Sequence, residues 1–187
     1  MVSRCVIDEI WKLWIGLNKL TYHLDLFDAS LIVSALSCGL ITGFILTYAI
    51  VVMPGLSKLT NRNFLRAFQV TDAIIQNNQP LFMLIWVGSI ISVISTIFTS
   101  IVYVGFPQAS LTLLVCFIYL VGVQGVTITI HIPLNNRVQN LQIDKLDDQT
   151  ASQERSVFED KWNRFNYIRS SISFLVCLAF LLILAQR

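Results

Sequence analysis

The sequence predicts an all-α integral membrane protein: a four-transmembrane-helix bundle with an N-terminal amphipathic helix and amphipathic loop helices on one membrane face. Of its 187 residues, 55% are hydrophobic and only 13% are charged, which is typical of membrane proteins. From Ala73 to Ile130 the chain contains no Asp, Glu, Lys, Arg or His, and this run is long enough for two membrane crossings. Because unpaired polar groups are costly in lipid, the few polar residues near the ends of the apolar segments become the main evidence about function.

The first segment, residues 1–30, has an amphipathic pattern. Apolar side chains recur at helical spacing from Val6 to Leu24, together with Trp11 and Trp14, while charged residues occupy other positions. This pattern predicts a helix lying in the membrane interface. A soluble helix packed on the end of the bundle fits the pattern equally well, so both interpretations stay open.

Residues 31–187 form the predicted membrane domain. A crossing helix needs about 20 apolar residues, and the spans are expected at about 31–53, 81–104, 111–130 and 165–185. The last apolar run begins only at Ser171 and is short by itself. The fourth span must therefore begin near Phe165, which draws Asn166 and Arg169 towards the membrane.

Proline and glycine mark the expected ends of the spans. Met53-Pro54-Gly55-Leu56 is expected to end the first span, and His131-Ile132-Pro133 the third. The short Gly105-Phe106-Pro107 turn joins spans two and three as an antiparallel hairpin.

Each polar connection contains a predicted helical stretch. Residues 57–79 have a partly apolar helical face formed by four side chains, namely Leu59, Phe64, Leu65 and Phe68. In the second connection, Thr150 and Gln153 have the spacing of a capping box, which predicts that the fourth helix starts near Ala151. That helix would project from the membrane before it enters.

Lysine and arginine predict the orientation of the bundle. The side with the termini has four of them, Arg4, Lys12, Lys19 and Arg187. The side with the polar loops has nine, namely Lys58, Arg62, Arg66, Arg137, Lys145, Arg155, Lys161, Arg164 and Arg169. The positive-inside rule therefore favours cytoplasmic loops, 54–80 and 131–164, and external termini. The net charge of +2 and the lack of a basic patch interleaved with aromatics argue against nucleic acid as a partner.

Polar residues on the third and fourth spans form two stripes at the loop side. Gln124, Thr127 and His131 stand at i, i+3 and i+7. The second stripe has the spacing i, i+4, i+7 and i+11 and consists of Trp162, Asn166, Arg169 and Ser173. Two polar stripes in lipid should face each other or a cavity. Tyr48, Gln69 and Asn135 are expected at the same membrane face.

Two interpretations of these polar residues stay open. For Gln124, Thr127 and Asn166 the sequence favours a structural role, in which they form hydrogen bonds between helices. For His131 and Arg169 a structural and a functional role are equally supported. An intramembrane arginine costs up to about 3 kcal/mol at mid-bilayer. We expect its partners to be carbonyls freed by Pro133, the Asn135 side-chain oxygen or a bound anion.

Other chemistry has little support in the sequence. Asp72 is a nearby carboxylate, although solvation at the surface is the simpler expectation. The two histidines are expected at opposite membrane faces, and the four cysteines show neither metal-ligand spacing nor a disulfide framework, so no metal site is predicted.

Three motifs carry a resemblance to a known family. They are VMPGL at 52–56, PLNN at 133–136 and W-x-x-x-N-x-x-R from Trp162 to Arg169. In this order and on one membrane face, they resemble the anthrone oxygenase family of small four-helix membrane proteins. The resemblance extends from about Gly39 to the end of the chain and implies oxidation of an anthrone-type phenolic substrate to a quinone by O2. It implies neither metal nor flavin, and the sequence contains no dinucleotide fingerprint.

The resemblance also suggests roles for the polar residues. His131 would be the catalytic base and Arg169 would stabilise the developing anion. The substrate-binding residues would be Tyr48, Gln69, Thr127, Asn135, Trp162 and Asn166. Of these, Asn135 and Asn166 would orient the catalytic pair, and Trp162 and Tyr48 would form an aromatic wall.

Two further functions are consistent with a membrane bundle. One is a non-enzymatic scaffold that binds another protein or a lipid headgroup, for which an exposed Phe64, Leu65 and Phe68 face would be suited. The other, a small transporter, is weaker, because neither an inverted repeat nor a broken mid-span helix is visible. Membrane lipids are the expected partners in every case.

Overall fold

The computed structural model describes residues 24–187, and it is built from helices. We label them α1 (Leu26–Leu56), α2 (Asn61–Gln76), α3 (Pro80–Tyr103), α4 (Ser110–Gln139) and α5 (Asp148–Ala185); a 3₁₀ turn lies at Ile143–Lys145. The helices α1, α3, α4 and α5 are long and apolar enough to cross a membrane, which confirms the predicted fold class. An amphipathic helix was predicted within residues 1–30. Residues 1–23 of that segment lie outside the described residues.

Helix α1 begins five residues earlier than the predicted first span. Its N-cap is Asp25, whose carboxylate accepts a hydrogen bond of 2.8 Å from the backbone N–H of Asp28. Asp28 is buried and accepts a hydrogen bond of 2.9 Å from Arg187 at the other end of the chain. Because hydrogen bonds satisfy both carboxylates, α1 can include the acidic Asp28. The predicted span, which was based on the apolar run, excluded this residue.

Helix α1 ends at Leu56, within the segment Met53–Leu56 where its end was predicted, whereas the end predicted at His131-Ile132-Pro133 is wrong. In α1, a π-helical segment at Tyr48–Val52 precedes the proline and the helix continues to Leu56. Helix α4 likewise continues to Gln139 after two π-helical segments, Tyr119–Gly125 and Thr127–His131. A proline has no N–H and crowds the carbonyl of the preceding turn, and a wider π turn accommodates both effects. The continuation places His131 and Asn135 one turn apart on the same helix.

Helix α5 begins at Asp148, three residues before the predicted start. Its N-cap is Asp147, whose side chain accepts a hydrogen bond of 2.7 Å from the N–H of Thr150, so Thr150 is not the cap. With 38 residues, the helix is about 57 Å long, nearly twice the roughly 30 Å hydrocarbon core. A helix of this length exceeds the hydrocarbon thickness, which is consistent with the prediction that its polar first turns project from the membrane. The α3–α4 hairpin is confirmed, with Gly105 in the left-handed region at φ 80°.

The bundle has two apolar clusters, one in the middle and one at the loop end. In the middle, α1 packs between α3 and α5. At the loop end, α2 lies across the ends of α4 and α5 and buries Phe64, Leu65 and Phe68 against Phe158 and Trp162. These three α2 side chains are at most 1% exposed. The Phe64, Leu65 and Phe68 face is therefore not exposed for a partner protein, whereas Val70 and Ile74 on the other side of α2 are.

Candidate functional site

A cavity of about 240 Å³ lies at the loop end of the bundle, and all five helices contribute to its wall. Its apolar lining comes from Ile41, Phe44, Ile45, Phe68, Ile75, Phe82, Met83, Trp86 and Ile132. Six of the predicted site residues also line it, namely Tyr48, Thr127, His131, Asn135, Trp162 and Arg169. The other two, Gln69 and Asn166, do not line it. The structure thus gathers most of the predicted site residues around one cavity.

The two polar stripes face each other, as predicted. Thr127 on α4 accepts a hydrogen bond of 3.0 Å from Arg169 on α5. The ring centroids of His131 on α4 and Trp162 on α5 are 5.1 Å apart. Two stripe residues pair elsewhere: the Ser173 hydroxyl lies 2.7 Å from that of Thr42 on α1, and Gln124 accepts a hydrogen bond from Trp86 on α3.

Arg169 is a buried cation held by neutral groups. Its Nε donates to the side-chain oxygen of Asn166 at 2.9 Å, and its Nη1 donates to Thr127. Asn166 is in turn fixed by donating to the backbone carbonyl of Ile45 at 3.1 Å. Within residues 24–187 no carboxylate pairs with Arg169, and no hydrogen bond engages its Nη2. The guanidinium therefore keeps unused donors on a residue that lines the cavity.

The partners of Arg169 differ from those expected. The Asn135 oxygen, one expected partner, accepts a hydrogen bond of 3.0 Å from the Trp162 indole instead. Among the described residues, no carbonyl near Pro133 accepts a hydrogen bond from Arg169 either. Thr127 and Asn166 thus hold the arginine in place, which for Asn166 agrees with the orienting role suggested above and for Thr127 differs from the expected contact with substrate.

His131 is buried without a hydrogen-bond partner. The residue is only 2% exposed, and neither Nδ1 nor Nε2 has a partner among the described residues. A buried polar group without a hydrogen bond lowers the stability of the folded protein by about 1–3 kcal/mol. Such groups are rare in folded proteins and often have a functional reason. His131 lines the cavity, but both of its nitrogens are buried from it, so a ligand would reach the imidazole only after a side-chain movement.

Asp72 also lines the cavity, although surface solvation was the simpler expectation from the sequence. The residue is only 2% exposed. Its carboxylate accepts hydrogen bonds from the side-chain amides of Asn135 at 2.7 Å, Gln139 at 2.9 Å and Gln76 at 3.2 Å. Burial raises the pKa of Asp72, and the three amide donors offset part of that rise. Its position was readable, because it follows Phe64 and Phe68 at steps of four on the apolar face of α2.

Gln69 has a structural role in the described contacts. Its amide nitrogen donates to the backbone carbonyls of Val138, Gln139 and Leu141 at 3.0–3.2 Å. These carbonyls lie at the end of α4, where no further helical turn satisfies them. Gln69 therefore ties α2 to α4 and positions the helix that carries Asp72.

A second set of polar residues, of which Trp86 and Gln124 also line the cavity, is paired among its own members; we call it the Gln124 network. The Trp86 indole donates to the Gln124 side-chain oxygen at 2.8 Å, and the Gln124 nitrogen donates to the Tyr119 hydroxyl at 2.8 Å. Tyr119 then donates to the Ser89 hydroxyl at 2.8 Å, and Ser89 donates to the Trp86 carbonyl at 2.7 Å. These groups satisfy one another, which fits structural glue between α3 and α4.

The arrangement supplies a base, a cation and an apolar space, but no metal-ligand set. Among residues 24–187, no group of three or more His, Cys, Asp or Glu side chains is placed to hold a metal ion. The imidazole, guanidinium and aromatic walls are together suited to removing a proton from a flat, apolar molecule and stabilising the anion.

A family model described as Anthrone oxygenase matches residues 81–179, which is more than half of the chain and contains α3, α4 and most of α5. No curated protein and no solved structure matches the chain.

Proposed function

The chain belongs to the anthrone oxygenase family, and from that premise we propose that it oxidises a hydrophobic, phenolic substrate of the anthrone type with O2 and without a cofactor. The observation that carries the proposal is the unpartnered imidazole of His131 in the cavity that Arg169 also lines. A general base needs a free nitrogen near its substrate, and a developing oxyanion needs a positive donor. His131 and Arg169 both line the cavity and are the residues that we assign to these two roles.

Proton removal is the step in which the protein contributes most. An anthrone has an acidic CH2 carbon between two aromatic rings, and its conjugate base carries negative charge on the ketone oxygen. In the proposed reaction, His131 takes one proton from that carbon and Arg169 stabilises the oxyanion. Arg169 is suited to this role because it is buried and has no carboxylate partner in the described part of the chain.

The remaining steps balance without another reactant. The carbanion gives electrons to O2 and forms a C–O bond, and protonation from His131 yields a hydroperoxide. Loss of water then breaks the O–O bond and removes the second hydrogen from the carbon, leaving a carbonyl. In sum, CH2 and O2 become C=O and H2O, with four electrons passing from carbon to oxygen.

The shape and position of the cavity are consistent with such a substrate. Trp162 contacts both His131 and Arg169, and its ring centroid lies 5.8 Å from that of Tyr48. These rings would hold a flat molecule beside the base. The volume of about 240 Å³ lies just below the range of about 300–1,000 Å³ for drug-sized ligands. Because the loops are proposed to be cytoplasmic, a substrate dissolved in the membrane would be converted at that face.

Labelled oxygen tests the proposal. The purified protein in detergent micelles would be given anthrone and ¹⁸O2 after dialysis against a chelator. We expect a quinone with one ¹⁸O atom, formed faster than in protein-free micelles, with the second ¹⁸O atom in water. Formation at only the spontaneous rate would contradict the oxygenase proposal, and a rate lost on chelation would contradict its cofactor independence.

A further inference from the structure

We infer that Asp72 is a specificity-determining residue, whose carboxylate accepts a hydrogen bond from a hydroxyl substituent of the substrate. The inference takes its ligand class, a flat phenol, from the proposed function. In this inference Asp72 recognises a substituent of the substrate, whereas His131 and Arg169 act on the reacting carbon and its developing anion. Asp72 reaches the cavity from α2, which contributes neither of those two residues.

The surroundings of Asp72 leave room for one more donor. Of its two carboxylate oxygens, Oδ2 accepts from Gln76 and Gln139, and Oδ1 accepts only from Asn135. A carboxylate has about four acceptor positions, so Oδ1 can accept another hydrogen bond. Since Asp72 is only 2% exposed and lines the cavity, a ligand in the cavity is the natural source of that donor.

The charge of Asp72 is also left without a cation. No Lys, Arg or His in the part of the chain that the structure describes forms an ion pair with it, and its three partners are neutral amides. A buried carboxylate normally has a paired cation or a full set of donors. A phenolic hydroxyl is the donor that the proposed substrate class brings.

The location also separates recognition from catalysis. Asn135 stands between the two parts: its nitrogen donates to Asp72, and its oxygen accepts from the Trp162 indole. Because an ionised Asp72 only accepts, it fixes which end of the Asn135 amide faces Trp162. Asp72 thus has an alternative role, in which it positions Trp162 and contacts no ligand, and the test must separate the two.

A matched pair of ligands makes the separation. The stable probes 2-hydroxyanthraquinone and 2-methoxyanthraquinone differ in their ability to donate a hydrogen bond. Binding would be followed by quenching of tryptophan fluorescence, since Trp86 and Trp162 line the cavity, at a pH where the phenol stays protonated. A hydrogen bond to a charged group is worth at least about tenfold in affinity, so the wild-type protein should bind the hydroxyl probe at least about tenfold more tightly.

The variant D72N removes the charge and keeps the shape. We expect the ratio of the two dissociation constants to fall to about threefold or less, because a neutral amide oxygen is the weaker acceptor. The matched control is D148N, whose side chain is 97% exposed on the first turn of α5 and should leave the ratio unchanged. Monodispersity and helical content would establish that both variants are folded.

Each result decides the question. Loss of the preference in D72N alone would support the inference, even if the protein showed no oxygen consumption and the proposed function failed. A wild-type ratio near one would overturn the inference without any variant, whether or not oxygen is consumed. Equal weakening of both probes by D72N, with the ratio kept, would also overturn it in favour of the positioning role.

Discussion

The Gln124 network and the cavity site bury polar groups in the same bundle but differ in how these groups are satisfied. In the Gln124 network, Trp86, Gln124, Tyr119 and Ser89 donate to and accept from one another. In the cavity site, His131 has no partner and Arg169 has no carboxylate among the described residues. Polarity inside a span is therefore a poor guide to function by itself. Unused hydrogen-bonding capacity beside a cavity is the better guide.

Substitution of His131 should have the largest effect on activity and no effect on stability. The variant H131F keeps a ring against Trp162 and removes both nitrogens. We expect oxygen consumption to fall by about 10²–10⁴-fold, the usual contribution of a general base. Thermal unfolding in detergent should not shift downward, because the imidazole makes no hydrogen bond that would be lost. A clearly destabilised H131F would show that the histidine is structural after all.

Arg169 should show a somewhat smaller loss of activity and a cost in stability. The variant R169Q removes the cation, and loss of one oxyanion-stabilising donor typically lowers kcat by about 10²–10³-fold. The change also releases Asn166 and Thr127 from their hydrogen bonds, so we expect a lower unfolding temperature. Comparison with R169K tests the role of charge. An R169Q protein with wild-type kcat would remove Arg169 from the mechanism.

Tyr119 should behave in the opposite way to His131. The variant Y119F removes one hydroxyl from the Gln124 network, and with it the hydrogen bonds to Ser89 and Gln124. We expect a loss of about 1 kcal/mol in stability, the usual size for such bonds between membrane helices, and activity within about twofold of wild type. Stability would be read from thermal unfolding. A large loss of activity in Y119F would break the distinction between the network and the cavity site.

The smallest expected effect is on the pH dependence of protein stability, to which the ionisation of Asp72 contributes. Burial raises the pKa of Asp72, so its ionisation favours the unfolded chain. Its contribution to stability is therefore greatest below the ordinary Asp pKa and decreases as the pH rises through the folded-state pKa. Unfolding temperatures of the wild type and D72N, compared from acidic to neutral pH, should show this declining difference.

Asp147 provides a control of opposite sign for that measurement. The hydrogen bond from the Thr150 N–H lowers the pKa of this exposed N-cap carboxylate. Its contribution is therefore present above the ordinary Asp pKa and is lost as the pH falls through the folded-state pKa. The stability difference between wild type and D147N should rise with pH. Parallel slopes for D72N and D147N would contradict the burial of Asp72.

The fold was largely predictable because lipid permits few alternatives. Long apolar runs without charge must be spanning helices. The helical spacing of polar residues around His131 on α4 and around Arg169 on α5 was enough to predict that these two faces meet. The continuation of α4 past Pro133 was not predictable from the local rule, because the π-helical turn at Thr127–His131 changes the hydrogen bonding of the preceding turn.

The parts of the site that differ from the expectations depend on contacts between distant segments. Asp72 was on the apolar face of α2 by spacing, but the amides of Asn135 and Gln139 that permit its burial come from α4. Gln69 looked like a ligand-binding amide, but it meets carbonyls at the end of α4. A sequence shows which residues are polar, whereas their partners depend on how α2 packs on α4.

Oxygen consumption with anthrone, measured side by side for the wild type, H131F and Y119F together with their thermal unfolding, tests the central claim most directly. The account predicts consumption above the spontaneous rate in the wild type. It further predicts that H131F keeps its stability and loses activity, while Y119F loses stability and keeps activity. Wild-type consumption at only the spontaneous rate, or variants in which activity and stability fall together, would contradict the account.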